Sequence, residues 1–248
     1  MRSATERRDL LKAVYEEARQ CVRCPLHRTR TTVVFGSGNA DAELMFIGEA
    51  PGANEDKQGL PFVGQAGKLL DKLLSEIGLE RGDVFIANTL KCRPPGNRDP
   101  HPNEIETCQG YLRQQVALIE PTVICALGNF STKLLRGDNT GISRVHGHDE
   151  TRVIGTRAVR LYPLYHPAAA LYTPATLETL RADFQRIPEL LARGAPAQPE
   201  TQGLSEPPEP GEQGLDELPQ PEELGLDDRS AQAGSAEQQD PAVQLGLF

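Results

Sequence analysis

The chain has 248 residues and a net charge of −9, and only 38% of its residues are hydrophobic, a low share for a globular protein. This length permits one large domain or two small ones. No apolar run is long enough for a membrane span or a secretory signal, so no membrane partner is expected and a cytoplasmic location is favoured.

The acidity is concentrated in the C-terminal part of the chain. From Ala195 onward the chain has twelve acidic residues and one basic residue, Arg229. This part therefore carries a charge of −11, and the rest is near +2. The same part is rich in Pro, Gly and Gln, a composition that buries too little apolar surface to fold. We therefore predict a folded domain over residues 1–194 and a disordered acidic tail over residues 195–248.

Hydrophobic spacing in the first part predicts alternating helices and strands. Helices are expected at about 5–20, 68–77, 103–119, 130–135 and 177–187, and strands at 44–47, 84–87, 122–127 and 153–164, the last range holding one or two. Asn103 and Glu106 resemble a capping box, Gly78 ends the second helix, and Pro188 should kink or end the last one. This order predicts an α/β fold with a mostly parallel central sheet and helices on both faces.

A glycine-rich loop, Gly48–Gly67, lies between the first predicted strand and the second predicted helix. Such loops often bind ligands, because their backbone N–H groups can approach a ligand closely. This one matches neither common phosphate-binding pattern, and Glu49, Glu55 and Asp56 would repel a phosphate. The loop is therefore expected to bind something other than the phosphates of a nucleotide.

Three polar residues follow the carboxyl ends of predicted strands: Glu49, Asn88 and His166. In parallel sheets, ligands bind beyond these ends. We therefore expect the three side chains to meet at one edge of the sheet, although they are far apart in the sequence.

Four of the five cysteines are placed as metal ligands would be. Cys21 and Cys24 form a C-x-x-C pair, and Cys92 and Cys108 lie further along the chain. Four thiolates suit either a tetrahedral zinc ion or an iron–sulfur cluster, and their spacing does not separate the two. Cys125, within an apolar run, is interpreted as a small buried hydrophobe.

Three segments resemble the motifs of family 4 uracil-DNA glycosylases: Gly48–Gly67, Asn88–Pro95 and His166-Pro167. The resemblance spans about Cys21 to Phe184. It implies a uracil-DNA glycosylase fold and an enzyme of base excision repair that flips uracil out of DNA, hydrolyses its N-glycosidic bond and leaves an abasic site. It also implies a 4Fe–4S cluster in preference to zinc, with the ligands Cys21, Cys24, Cys92 and Cys108.

The resemblance implies roles for the site residues. Phe62 would stack on the flipped uracil, Asn88 would read its edge, and His166 would hydrogen-bond its carbonyl as the bond breaks. Glu49, with the loop backbone that includes Ala50 and Pro51, would contact the base and position water. Ala50 stands where other uracil glycosylase families place a water-activating Asp, so no strong general base is expected. Glu55 and Asp56 are interpreted as shaping the loop through bonds to backbone N–H groups.

The expected partner is uracil-containing DNA, single- or double-stranded, bound by a monomer. Lys91, Arg93 and Arg98 could hold its phosphates without reading sequence. Leu171, just beyond His166, is a candidate wedge for the gap left by the flipped base, although it could equally be a core residue.

The chain closes with a short apolar segment, Gln244-Leu245-Gly246-Leu247-Phe248. It resembles the Gln-Leu-x-Leu-Phe motif with which bacterial repair and replication proteins dock on the sliding clamp. Leu245, Leu247 and Phe248 would fill an apolar cleft, and Gln244 would make the polar contact.

Two other functions fit parts of the sequence. The cysteines could serve an iron–sulfur redox protein, but this hypothesis gives no role to Asn88 or His166. The chain could also be a non-catalytic nucleic-acid-binding module, in which case replacing His166 would leave its activity unchanged.

Overall fold

The computed structural model describes residues 2–199. Its helices are α1 (Ala4–Arg19), α2 (Ala53–Gln58), α3 (Gln65–Glu76), α4 (Pro102–Ile119), α5 (Gly128–Arg136), α6 (Ile142–Val145), α7 (Pro167–Ala170), α8 (Pro174–Phe184) and α9 (Ile187–Ala192). Its strands are β1 (Ser37–Gly38), β2 (Leu44–Gly48), β3 (Phe85–Asn88), β4 (Val123–Leu127), β5 (Glu150–Ile154) and β6 (Arg157–Leu164). Short 3-10 turns cover Pro25–Arg28 and Pro95–Asn97.

Within the described residues, the strands form one sheet in the order β1-β3-β2-β4-β6-β5. The four central strands, β3, β2, β4 and β6, pair in parallel. The edge strands β1 and β5 pair antiparallel with their neighbours. The prediction of a mostly parallel sheet is confirmed, and the parallel pairing brings the carboxyl ends of β2, β3 and β6 to one edge.

The sheet is covered on both faces, as predicted. Met45 and Ile47 of β2 lie in a core shared with α1 and α4. Leu44 and Phe46 lie in a second core shared with α3, α8 and α9. Because successive side chains of a strand point to opposite faces, a central strand that is buried on both sides reads as a continuous apolar run.

Two predicted helix signals are displaced. The capping box is centred on His101 and not on Asn103, because α4 already begins at Pro102 and the Glu104 carboxylate accepts a hydrogen bond of 2.8 Å from the His101 backbone N–H. Pro188 stands near the start of α9, whereas α8 has ended at Phe184. Both starts follow the preference of proline for the first turn of a helix, where its missing N–H costs no hydrogen bond.

The predicted tail lies almost entirely outside the described residues, and so does the segment Gln244–Phe248. The boundary at residue 194 therefore stays a prediction. Just beyond it, the Gln198 side chain exchanges two hydrogen bonds with the backbone of Ala158 in β6, at 3.0 and 2.9 Å. Among the helices of residues 2–199, none combines the length and the apolar character that a bilayer crossing requires.

Candidate active site

A cavity of about 470 Å³ opens where the carboxyl ends of β2, β3 and β6 meet. Its size falls within the roughly 300–1,000 Å³ typical of small-molecule sites. The structure brings together at this cavity the three residues expected at the sheet edge, Glu49, Asn88 and His166. The remaining lining residues are Ala50, Pro51, Gly52, Glu55, Phe62, Ala66, Pro94, Asn97, Arg98 and Ala168.

The Asn88 side chain is aimed into a confined space beside Gly48. A Cβ atom at Gly48 would lie 2.4 Å from Asn88 Oδ1 and 2.9 Å from Phe62 Cζ, so only glycine leaves room for both groups. Asn88 is 3% exposed, and its backbone carbonyl accepts a hydrogen bond from Lys91. Among residues 2–199, no hydrogen bond engages its side-chain amide. The amide therefore offers both a donor and an acceptor to a ligand.

Phe62 forms one wall of the cavity in an unusual backbone conformation. Its φ of 53° is left-handed, a conformation that costs a non-glycine residue roughly 1–2 kcal/mol. The guanidinium of Arg81 offsets this cost by donating to the carbonyls of Pro61 and Phe62, at 2.9 and 2.6 Å. The Phe62 ring stacks against the His166 ring with centroids 5.6 Å apart. Sequence patterns do not reveal the role of Arg81, because nothing local marks a residue that acts on carbonyls nineteen and twenty positions away.

The acidic residues of the loop hold its backbone. Glu55 Oε1 accepts hydrogen bonds from the backbone N–H groups of Val63 and Gly64, at 2.9 and 3.0 Å, where α3 begins. A carboxylate at this helix end also complements the helix dipole. The buried Asp56 carboxylate accepts from the Thr31 N–H at 2.9 and 3.1 Å. These bonds agree with the expectation that both residues shape the loop.

His166 caps the short helix α7 and faces the cavity. Its Nδ1 accepts a hydrogen bond of 3.1 Å from the Ala168 backbone N–H. Burial lowers the pKa of the imidazole to about 4, and Glu55 opposes this effect. The ring is therefore neutral at physiological pH. Because Nδ1 acts as an acceptor, the ring proton lies on Nε2, which is the nitrogen left to donate.

Glu49, the residue expected to position water, lines the cavity. Burial raises the pKa of its carboxyl group, and the charge of Asp99 raises it further. The backbone carbonyl of Glu49 accepts a hydrogen bond of 3.0 Å from the Leu90 N–H, which fixes the start of the loop. Ala50 and Pro51 follow along the cavity wall and add no side-chain group that could take a proton.

The residues expected to contact DNA lie in different environments. Lys91 is 1% exposed and its ammonium is bonded inside the protein, so the expectation that it holds a phosphate is corrected. Arg93 bonds the Asn97 side chain at 2.7 Å. Arg98 lines the cavity and pairs with Glu104 at 2.6 Å. Leu171 is 38% exposed just after α7, so it is not a core residue.

The four candidate ligand cysteines lie in or against the core on the face of the sheet that α1 and α4 cover. Cys92 and Cys108 are buried members of that core, and Cys21 and Cys24 pack against it. Arg30 donates to Cys92 Sγ at 3.3 Å, and the Lys91 N–H donates to Cys108 Sγ at 3.3 Å. Burial raises the pKa of Cys92 to about 12, with further increases from Cys108 and Cys24. Within residues 2–199, no three Cys, His, Asp or Glu side chains form a group that could hold a single metal ion.

Cys125 lies apart from the other cysteines. It is fully buried in β4, within the core that α3, α8 and α9 cover. Burial raises the pKa of its thiol well above the usual value. Its placement agrees with the interpretation as a small buried hydrophobe.

Comparison with known proteins places these features in a family. A family model described as the Uracil DNA glycosylase superfamily matches residues 35–190. The chain is 48% identical to the Type-4 uracil-DNA glycosylase of Sulfurisphaera tokodaii, over 73% of this chain and 85% of the relative. It is 46% identical to the Type-4 enzyme of Archaeoglobus fulgidus, over 75% and 96%. Its identity to a Type-5 uracil-DNA glycosylase of Pyrobaculum aerophilum is lower, 28% over 71% and 88%.

Proposed function

The chain belongs to the uracil DNA glycosylase superfamily and to its type-4 family, and on that premise we propose that its cavity binds uracil flipped out of DNA and supports hydrolysis of the N-glycosidic bond. The observation that carries this proposal is the meeting of three groups at one cavity: the Asn88 amide, which has no partner within residues 2–199, the Phe62 ring and the neutral His166 imidazole. A base can reach such a cavity only after leaving the duplex stack. The product is DNA with an abasic site, which base excision repair processes further.

Two residues would recognise the base. The Phe62 ring offers an apolar face on which a flipped pyrimidine can stack. The Asn88 amide can donate to a uracil carbonyl and accept from the uracil N3–H. Cytosine has an acceptor at N3 and a donor at its amino group, so it would leave buried polar groups unpaired. The pairing therefore selects uracil over the base from which it arises by deamination.

His166 would stabilise the leaving base. As the bond between C1′ and N1 breaks, its electron pair stays with the uracil and negative charge spreads to the ring carbonyls. A neutral imidazole that donates from Nε2 meets that charge without having to lose a proton. One such donor is typically worth about 3–4 kcal/mol of barrier.

Water would then complete the reaction at the sugar. Its oxygen bonds to C1′, and its proton is released to solvent or to the departing uracil. Glu49 lines the cavity, and its carboxylate would orient this water and stabilise the positive charge of the sugar. Because Ala50 supplies no second carboxylate, most of the rate enhancement would come from leaving-group stabilisation.

The DNA strand would cross the surface around the cavity. Arg93 and Arg98 can contact phosphates at its rim, and such contacts fix the strand without reading its sequence. Leu171, exposed at the end of α7, can fill the space that the flipped base vacates. The enzyme would act as a monomer on single- or double-stranded DNA.

The four cysteines fit a 4Fe–4S cluster as a donor set. Cys21, Cys24, Cys92 and Cys108 come from three segments that lie in or against the same core, and the last two interact electrostatically with others of the set. Burial raises the pKa values of Cys24, Cys92 and Cys108, so a bound metal would supply the positive charge that thiolates need there. When bound, the cluster would link the end of α1, the loop after β3 and α4. Iron and acid-labile sulfide in the purified protein, without zinc, would support this assignment over a zinc site.

The C-terminal segment Gln244–Phe248 would tether the enzyme to the replication sliding clamp. A long polar tail that joins the catalytic domain to such a motif raises the effective concentration of enzyme near newly made DNA. This work would take place in the cytoplasm.

The proposed activity is tested with an oligonucleotide that carries a single uracil, either single-stranded or paired with guanine or adenine. We expect the purified protein to leave an abasic site, so that hot alkali cleaves the strand at the uracil. The same oligonucleotide with thymine is the matched control and should stay intact. Absence of cleavage with protein that contains its cluster would contradict the proposal and favour a redox or binding role.

A further inference from the structure

Lys91 occupies a position where a lysine is costly. It is 1% exposed, so its ammonium is removed from solvent. A buried charge is tolerated only where it is paired or hydrogen-bonded. The contacts of Lys91 therefore indicate what the residue does.

The ammonium of Lys91 joins the end of β3 to α4. It donates to the backbone carbonyl of Asn88 at 2.8 Å and to Gln115 Oε1 at 2.6 Å. Gln115, itself fully buried, donates from Nε2 to the backbone carbonyl of Phe35 at 2.8 Å. This chain of bonds restricts rotation of the Asn88 carbonyl. It thereby restricts the neighbouring Cα atom, which carries the Asn88 side chain.

The backbone of Lys91 is held from the other side. Its N–H donates to Cys108 Sγ at 3.3 Å, and its carbonyl accepts from the Val34 N–H at 2.8 Å. The next residue in the chain is Cys92. Lys91 thus contacts both the residue expected to read uracil and the segments that carry two of the four ligand cysteines.

We propose that Lys91 is a positioning residue: it holds the Asn88 side chain in the orientation that hydrogen-bonds uracil, and it links base recognition to the cysteine site. This inference rests on the proposed function, because it concerns how that site recognises its base. Lys91 does not line the cavity, so it acts only through Asn88. Its removal should weaken discrimination between bases without taking any atom from the cavity.

The test replaces Lys91 with methionine, which keeps the length of the side chain and removes its charge and donors. Two duplexes serve as probes, one with 2′-fluoro-2′-deoxyuridine and one with 2′-fluoro-2′-deoxycytidine, because both resist cleavage. We expect Lys91→Met to lower the ratio of the two affinities about tenfold, the usual effect of one misplaced buried hydrogen bond, and to lower kcat/KM on uracil by a similar factor. Lys72→Met, on the exposed face of α3, is the matched control and should leave both values unchanged.

Iron and sulfide content and thermal unfolding are measured on the same samples. A merely structural Lys91 would change the melting temperature or the cluster content and leave the affinity ratio as in the wild type. An unchanged ratio in cluster-loaded Lys91→Met would overturn the proposal.

If Lys91→Met does not fold, Gln115→Leu decides, because it keeps the Lys91 bond to Asn88 but frees the ammonium from α4. That variant should lower the ratio to a lesser degree, and a wild-type ratio would again overturn the proposal. Wild-type excision of uracil is measured separately, so failure of the proposed function would be seen independently.

Discussion

At the scale of single residues, the cavity owes its chemistry to residues that are held by a hydrogen bond within the protein and still offer a polar side-chain group to a ligand. His166 accepts a hydrogen bond from the Ala168 N–H at Nδ1 and can donate from Nε2 to a ligand. Asn88 has its carbonyl bonded by Lys91 and keeps its whole amide for a ligand. The base would thus meet groups whose orientation and protonation are set before it arrives, which is how preorganised sites lower a barrier.

The charge state of His166 leads to a prediction about pH. Because its pKa in the folded protein is about 4, below the usual value of 6.5, the imidazole stays neutral until the pH falls close to 4. We expect kcat/KM for uracil excision to show no loss near pH 6.5 that depends on His166. His166→Ala should lower kcat about 100- to 1,000-fold at neutral pH, the usual effect of losing one such donor.

The exposed His148 provides the control for this measurement. His148→Ala should keep both the rate and the pH profile of the wild type. An acidic limb near pH 6.5 that disappears in His166→Ala would show that the imidazole titrates normally and would contradict the prediction.

At the scale of elements, hydrophobic spacing predicts α1, α3, α4, α5, α8 and the central strands, because burial on one or both faces dictates the period of apolar residues. It misses the short helices α2, α6 and α7, and α2 lies within the segment predicted to be a loop. The ends of elements are less predictable. α4 begins at Pro102, earlier than the capping signal at Asn103 indicates. The Glu104 carboxylate accepts a hydrogen bond from the His101 N–H and so makes His101 the N-cap. The loop Gly48–Gly67 is recognisable as a ligand loop, but its shape depends on Arg81, from a different segment of the chain.

The turn into α3 leads to a second prediction. A Cβ atom at Gly67 would lie 1.6 Å from the carbonyl oxygen of Phe62, so alanine cannot fit unless the loop moves. We expect Gly67→Ala to lower the free energy of unfolding by about 1–3 kcal/mol, as overpacking does, and to weaken binding of uracil-containing DNA. Chemical denaturation and a binding titration measure the two effects.

Gly110, in α4, is the matched control. A Cβ atom there would meet no heavy atom within 4 Å. Gly110→Ala should leave DNA binding unchanged and add up to about 1 kcal/mol of stability through helix propensity. Equal stability and equal DNA binding of the two variants would contradict the close approach of the Phe62 carbonyl to Gly67.

At the scale of the whole molecule, the charge is divided between two parts. The chain up to residue 194 is near +2, whereas the part from Ala195 onward carries −11. Strong DNA binding therefore cannot be inferred from net charge, and the local placement of bases such as Arg93 and Arg98 matters more. Because like charges repel, we expect the acidic part not to contribute to DNA binding.

The terminal motif gives a prediction at this scale. Deletion of Gln244–Phe248 should abolish binding of the bacterial sliding clamp, because the three large apolar side chains are lost, and should leave excision from short oligonucleotides unchanged. Phe248→Ala should weaken clamp binding strongly. Gly246→Ala, at the unspecified position of the motif, should bind like the wild type. Undiminished clamp affinity after the deletion would refute the interpretation.

The sequence by itself determined the family, the mostly parallel character of the central sheet and the three residues that meet at its edge, because motifs and apolar periodicity are local properties. It also singled out the four cysteines and the acids that hold the loop. Only the tertiary structure decided that Lys91 lies inside the protein, bonded to Asn88 and Gln115, and that Arg81 fixes the Phe62 backbone. A basic residue in a polar motif suggests a surface contact. Whether it instead becomes a buried anchor depends on partners from distant segments, and only folding brings those partners together.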